Sequence, residues 1–192
     1  MKKFSPKEIL MPTIVLFVIC VVASALLGGT NMLTEDKIAS IEAEAKVQAM
    51  QTVMADAVSF SEEAQASETV AYCEALNADG NVIGYAFTVS ENGYGGEIKI
   101  MVGVNTDGTV RKLAVLSADN ETPGLGLNIK KDSFLDQFIG KVNGIAVNKN
   151  APSGNEIQAL TSATISSSAV TRAVNAALDC FENEVKGGAE NG

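Results

Sequence analysis

Apolar and polar positions follow three rhythms along this chain, and each predicts a different kind of element. The first rhythm is an unbroken apolar run. From Ile9 to Leu27 the chain reads "ILMPTIVLFVICVVASALL", 19 residues without a charge. As a helix this run is about 30 Å long, the thickness of a bilayer's hydrocarbon core. Residues 9–29 are therefore expected to form one transmembrane helix behind a short tail, 1–8. Pro12 is expected in its first turn, where a missing N–H costs little. The second rhythm is helical. Ile38, Ile41, Ala45, Met50, Val53, Met54 and Ala57 recur at near-helical spacing. Thr34 is placed to act as N-cap, and Glu35 and Asp36 suit the positive end of the helix dipole. This predicts a helical linker over 30–68 whose last part, "SFSEEAQASE" (59–68), is a solvated loop.

The third rhythm has a period of two. "VAYCEAL" (70–76), "NVIGYAFTV" (81–89), "EIKIMVGV" (97–104) and "TVRKLAVLS" (109–117) read as strands. "NADG" and "NTDG" join the outer pairs with tight-turn chemistry, and "SENGYGG" joins the middle pair. An antiparallel meander of four strands follows, with Ile98, Ile100, Val102 and Val104 on one core-facing side. Helical spacing returns in "KKDSFLDQFIG" (130–140), a short helix packed through Phe134, Leu135 and Phe138. It returns again from about Ser166, where Ala169, Val170, Ala173, Val174, Leu178, Phe181 and Val185 share a face. Gly187 and Gly188 mark that helix's end. The fold class is thus α+β: a single N-terminal transmembrane helix, then an antiparallel sheet with packed helices over 69–186, then a flexible tail, 187–192.

Charge fixes the orientation. Residues 1–30 hold Lys2, Lys3, Lys7 and the single acid Glu8, which leaves 11 of the 14 bases and 22 of the 23 acids to the rest. Lysines before the apolar run and acids after it place the N-terminus in the cytoplasm and the acidic domain outside the cell membrane. A cleaved signal peptide is the other reading, with "ASA" at 23–25, but its apolar region is usually about 7–15 residues. The acidic domain repels nucleic acid, and membrane lipid is the expected partner of the span. The chain has no histidine, which excludes Ser-His-Asp catalysis and His-based zinc sites. Cys20 reads as a lipid-facing or packing residue. Cys73 and Cys180 allow a disulfide in an oxidising compartment, but their spacing shows no framework and no CxxC, and they read as isolated buried thiols.

Two segments carry candidate chemistry. "ETPGLG" (121–126) combines a Pro-Gly turn with the polar Glu121 and Thr122 and the apolar Leu125. Gly124 and Gly126 allow close backbone approach. The segment is either a structural turn or a cradle for a flat, partly polar ligand. "LTSATISSS" (160–168) places Thr161, Ser162, Thr164, Ser166, Ser167 and Ser168 at a helix mouth. Ser166 and Ser167 are suitable caps, and the free N–H groups there favour phosphate. One hydroxyl suffices for capping, so six point to hydroxyls that bind or react with a phosphate.

The second segment resembles the flavinylation motif of FMN-binding domains, S/T-G-A-T-x-S/T. The second Thr of that motif carries FMN through a phosphoester, and it falls on Thr164. Ala163 keeps the motif's residue, while Ser162 stands where the family usually has Gly, with a modest effect expected on loop geometry. "ETPGLG" is similar to a second signature, found in the RnfG component of the Rnf complex and the NqrC component of the sodium-pumping NADH:quinone reductase. The order of tail, span, "GYGG" (93–96), ETPGLG and Thr motif also agrees, and the length is nearer to the RnfG family. The resemblance implies an electron-carrying redox subunit of an ion-translocating oxidoreductase, not a stand-alone catalyst. It also implies covalent FMN on Thr164 as the cofactor. Glu121, Thr122, Gly124 and Leu125 line the isoalloxazine edge, and Thr161, Ser162, Ala163, Ser166 and Ser167 surround the attachment. Other membrane subunits of an Rnf-type complex and a flavin transferase are the implied partners, and no metal is. Two other classes fit the residues: an FMN domain serving another respiratory chain, such as the Nqr-type pump or a different flavin-based system, and an anchored module without cofactor.

Overall fold

A computed structural model describes residues 6–186, which divide between Glu44 and Ala45 into two compact units. The first unit is helical. Helix α1 has the bounds Pro6–Val53, so it continues beyond the first unit. Within it, Leu10–Glu35 is long and apolar enough to cross a membrane. Two local expectations fail here. Pro12 lies inside the helix. Thr34 caps nothing, because no break separates the apolar run from the amphipathic stretch. Its hydroxyl instead donates to the Thr30 carbonyl at 3.0 Å, as that of Thr30 does to Leu26 at 2.8 Å. Back-bonding of this kind lets a hydroxyl residue sit mid-helix with its polar group satisfied.

The second unit is built on an antiparallel sheet. Strands β1 (Ser59–Phe60), β3 (Val70–Leu76), β4 (Val82–Asn92), β5 (Glu97–Asn105) and β6 (Val110–Ser117) lie side by side in that order, and β2 (Ala64–Gln65) also pairs with β3. The meander β3–β6 agrees with the alternating pattern to within a few residues at each end. Gly80 and Gly108 take the left-handed conformation in its two tight turns, with φ of 80° and 86°. The segment 59–68 differs from expectation. It is no plain loop but contributes β1 and β2, held by backbone pairs such as Ser59 with Leu76 and Ala64 with Tyr72. Two-residue strands are too short to show a period in sequence.

One face of the sheet carries the main core. Phe87, Val89, Ile98, Ile100, Val102 and Val104 are buried against Val170, Val174, Ala177 and Leu178 of α3 (Thr164–Cys180). Alternation along β5 is responsible: its even-numbered residues face α3, and Met101 faces the other way. A short helix α2 (Asp132–Leu135) and the 3-10 turn Asp136–Phe138 close one end, with Phe134 and Phe138 edge to face at 5.6 Å. A small parallel pair, β7 (Ala146–Asn148) and β8 (Glu156–Gln158), completes the layer. The other face is covered by the end of α1, where Ala49, Val53 and Met54 pack with Cys73, Ala75, Ala86 and Met101. Gly103 makes this approach possible, since a Cβ there would sit 2.6 Å from the Val53 carbonyl oxygen. Cys73 and Cys180 are both free and buried, and burial pushes the Cys73 thiol up to about 11. Helix α3 ends in a π-helical stretch, Phe181–Lys186, and Phe181 closes the core against Tyr85 at 5.6 Å.

Candidate functional site

Three segments distant in sequence meet at the N-terminal end of α3. They are the tip of the β4–β5 hairpin, the loop after β6, and the residues that start α3. Between them lies a cleft of about 550 Å³, lined by Tyr94, Glu121, Thr122, Leu125, Gly126 and residues 162–166. Small-molecule sites commonly occupy about 300–1,000 Å³.

Glu121 ties the three segments together. It is 2 % exposed. One carboxylate oxygen accepts from the backbone N–H of Tyr94 at 2.7 Å and of Gly95 at 3.1 Å. The other accepts from the Ser166 hydroxyl at 2.7 Å. Burying a carboxylate is costly unless its oxygens are hydrogen-bonded, and all three bonds come from this chain's own donors. Gly126 packs directly on this junction: a Cβ there would collide with the Glu121 carboxylate and stand 3.0 Å from the Ser166 hydroxyl oxygen.

The helix start differs from the sequence expectation. Helix α3 begins at Thr164, with Ala163 in the N-cap position and no side chain capping it. Ser166 and Ser167 are not caps, because their hydroxyls are committed elsewhere. Ser166 serves Glu121. Ser167 donates to the Ala163 carbonyl at 2.9 Å and accepts from the Leu160 N–H at 3.0 Å, closing the turn that precedes the helix. Both are buried. The first N–H groups of a helix have no partner within it, so this mouth is electropositive and unfilled by any side chain of its own. Among the described residues, none that lines the cleft is cationic.

Thr164 is half-buried on the cleft wall. Its hydroxyl has no hydrogen-bond partner among the described residues. Ser162 has φ 62°, the left-handed region that costs a residue with a Cβ about 1 kcal/mol or more. The Ser at this position thus keeps the backbone shape that Gly adopts freely.

Of the residues expected around the cofactor, Glu121, Thr122, Leu125, Ser162, Ala163, Thr164 and Ser166 line the cleft. Thr161 does not: it lines a neighbouring hollow of about 270 Å³ beside Gln137 and Gln158. Ser167 is buried behind the wall. Gly124 forms the turn, with φ 77°, and does not line the cleft. The sequence reading missed Tyr94, Gly126 and Ile165 as lining residues. Tyr94 had a signal, as the one bulky residue among the glycines of "GYGG". Its side chain is 70 % exposed, Ile165 is 54 % exposed and Leu125 43 %, so the rim is apolar while the inner wall is polar. That division suits a ligand with a flat apolar ring and an anionic tail.

Comparison with known proteins agrees with this geometry. Residues 93–179 match the FMN-binding domain, and residues 1–53 match the RnfG N-terminal region. The G component of the ion-translocating oxidoreductase complex of Methanosarcina acetivorans is 33 % identical, over 90 % of this chain and 94 % of that protein. The G component of the Na(+)-translocating ferredoxin:NAD(+) oxidoreductase complex of Acetobacterium woodii is 31 % identical, over 88 % of this chain and 90 % of that one. Among solved structures, the C component of the Na(+)-translocating NADH-quinone reductase of Parabacteroides distasonis superposes with a TM-score of 0.50 at 25 % identity, over 58 % of this chain and 61 % of that one. NqrC of Shewanella oneidensis has the same fold, with a TM-score of 0.52 at 16 % identity, over 70 % and 74 %. The cleft at the mouth of α3 falls within the matched FMN-binding domain, and the chain belongs to the RnfG family of ion-translocating oxidoreductase complexes.

Proposed function

We propose that this protein is an electron-carrying subunit of an Rnf-type membrane complex and holds FMN through a phosphoester to Thr164. The observation that carries the reading is the half-buried Thr164 hydroxyl, without a partner among the described residues, in a cleft whose buried hydroxyl, that of Ser166, is committed to Glu121. When bound, FMN supplies one- and two-electron transfer chemistry. The chain's own residues supply position. Backbone N–H groups of the first turn of α3 would hold the phosphate, and the helix dipole would favour its charge. In forming the ester the Thr164 hydroxyl oxygen would take the flavin-side phosphorus of a flavin dinucleotide as the phosphoanhydride P–O bond breaks, the nucleoside monophosphate leaving with the hydroxyl proton, a step assigned to a separate flavin transferase. A covalent link replaces the cationic side chains that the cleft lacks. Thr122 and Leu125 stand at the ring's edge, and Glu121 holds the wall behind it.

Relatives named as components of ferredoxin:NAD(+) oxidoreductase complexes support a role in electron transfer between ferredoxin and NAD, coupled to ion movement. Lys2, Lys3 and Lys7 before the span, with the acidic charge after it, support a cytoplasmic N-terminus and an FMN domain outside the membrane. Other members of the complex would pass electrons to and from the cleft.

The test is Thr164→Val, produced with and without a flavin transferase. Wild-type protein made with the transferase gains the mass of one FMN less water, and Thr164→Val gains none. Attachment that persists in the variant removes Thr164 from the mechanism.

A further inference from the structure

The tip of the β4–β5 hairpin has an unusual construction. A Cβ on Gly95 would collide with the Asn120 carbonyl, one on Gly93 with the Glu121 carboxylate, and one on Gly96 would sit 2.9 Å from the Asn120 side-chain nitrogen. The tip therefore lies flat on Asn120 and Glu121, with no room for side chains at three of its four residues. Tyr94 is the exception. Its backbone is fixed by the buried Glu121 carboxylate, and the tip is closed by the Gly93 N–H to the Gly96 carbonyl at 2.8 Å. Arg172, two turns along α3 from Thr164, secures the base of the tip by donating to the Asn92 carbonyl at 3.0 Å and to Glu91 at 3.1 Å. All this order supports one phenol ring that is itself 70 % exposed and lines the cleft.

Lone exposed aromatics are common on protein surfaces. One mounted on a clamped loop beside a cleft is different, because its backbone is already ordered and only the side chain's own freedom is lost when a flat partner binds. Through Glu121 and Ser166 the same hydrogen-bonded frame reaches the first turn of α3, so the Tyr94 backbone and the attachment point are tied to one carboxylate. We infer that Tyr94 is the aromatic wall on which the flavin ring stacks, and that Glu121 is the positioning residue that holds it there. Offset stacking of two π-systems suits this arrangement. The inference rests on the reading that FMN is bound at Thr164.

Flavin fluorescence tests it. A tyrosine in contact with an excited flavin quenches it by lending an electron, which returns to the phenol on decay, so nothing is oxidised overall. The full-length protein, flavinylated with the transferase, is compared with Tyr94→Phe, Tyr94→Trp and Glu121→Gln, with intact mass reporting the FMN content of each. Tyr94→Phe keeps a ring but not the electron donor, and its flavin lifetime should lengthen several-fold. Tyr94→Trp should restore the short lifetime. Glu121→Gln, which has a single acceptor oxygen, should lengthen the lifetime partway. FMN attached in every variant with an unchanged lifetime in Tyr94→Phe overturns the stacking role alone. A wild-type decay in Glu121→Gln overturns the positioning role. Wild-type protein without attached FMN overturns both the attachment and the inference built on it.

Discussion

Helix α3 has two regions that obey different rules. From Val170 to Leu178 the face toward the sheet is apolar, with Val170, Val174, Ala177 and Leu178 packing on β4 and β5, and the one buried polar side chain there, Thr171, satisfies its hydroxyl on the Ser167 carbonyl of the same helix. In its first turn the buried positions are polar: Ser166 and Ser167 are as inaccessible as those valines, yet Ser166 is bonded to the loop after β6 and Ser167 to the turn just before the helix. Burial alone thus does not separate core from site. What separates them is where the polar atoms are spent. Ser166 and Ser167 spend theirs on architecture, and Thr164, half-buried at the very start of the helix, leaves its hydroxyl to the cleft. A hydroxyl-rich stretch that reads as a uniform binding surface thus divides into two hydroxyls committed to the structure, Ser166 and Ser167, and others, Thr164 among them, with no partner among the described residues.

Substitutions can break this contrast from either side. The largest effect is expected in the apolar region. Leu178→Ala removes a side chain that is 1 % exposed and should cost about 2–5 kcal/mol, read as a lower midpoint in urea unfolding. FMN attachment should persist in whatever protein folds. Loss of attachment in the folded fraction would mean that the two regions are not separable. A smaller effect is expected from Ser166→Ala. It strands an oxygen of the buried Glu121 carboxylate and should cost about 1–3 kcal/mol, although the residue lies in the polar turn. A variant as stable as wild type but poor in FMN would reverse the assignment and make Ser166 a ligand. The smallest effect belongs to Ser162→Gly. Relief of the left-handed backbone favours the folded state by about 1–2 kcal/mol, and the added freedom of the unfolded chain takes back about 0.4–1 kcal/mol. Thermal melts should rise slightly with attachment unchanged, and a clear fall would show that the Ser162 side chain contributes a contact.

The sequence made the sheet legible and the site half legible, for physical reasons. Strands β3–β6 alternate because one face is buried, and Gly80 and Gly108 mark turns that require positive φ. Phe134, Leu135 and Phe138 announced their packing by helical spacing. Continuity of α1 was hidden by the polar residues near Thr34, which look like a helix start until their hydroxyls are seen to bond backward. Strands β7 and β8 are three residues each, too short to establish a period. Within the site, the residues near Thr164 follow from one local motif. The link from Glu121 to Ser166 spans 45 residues and that to Tyr94 spans 27, and no local pattern encodes such pairings. The glycines of "GYGG" and Gly126 carried the missing information, since several are glycine for lack of space around Asn120 and Glu121.

The central claim is that one particular hydroxyl of the six bears the cofactor. Proteolysis of the transferase-treated wild-type protein, followed by fragmentation mass spectrometry of the peptide spanning 150–171, addresses it directly. The account predicts a single FMN phosphoester on Thr164 and none on Thr161, Ser162, Ser166, Ser167 or Ser168. FMN located on any of those five, or absent from the peptide, would contradict it.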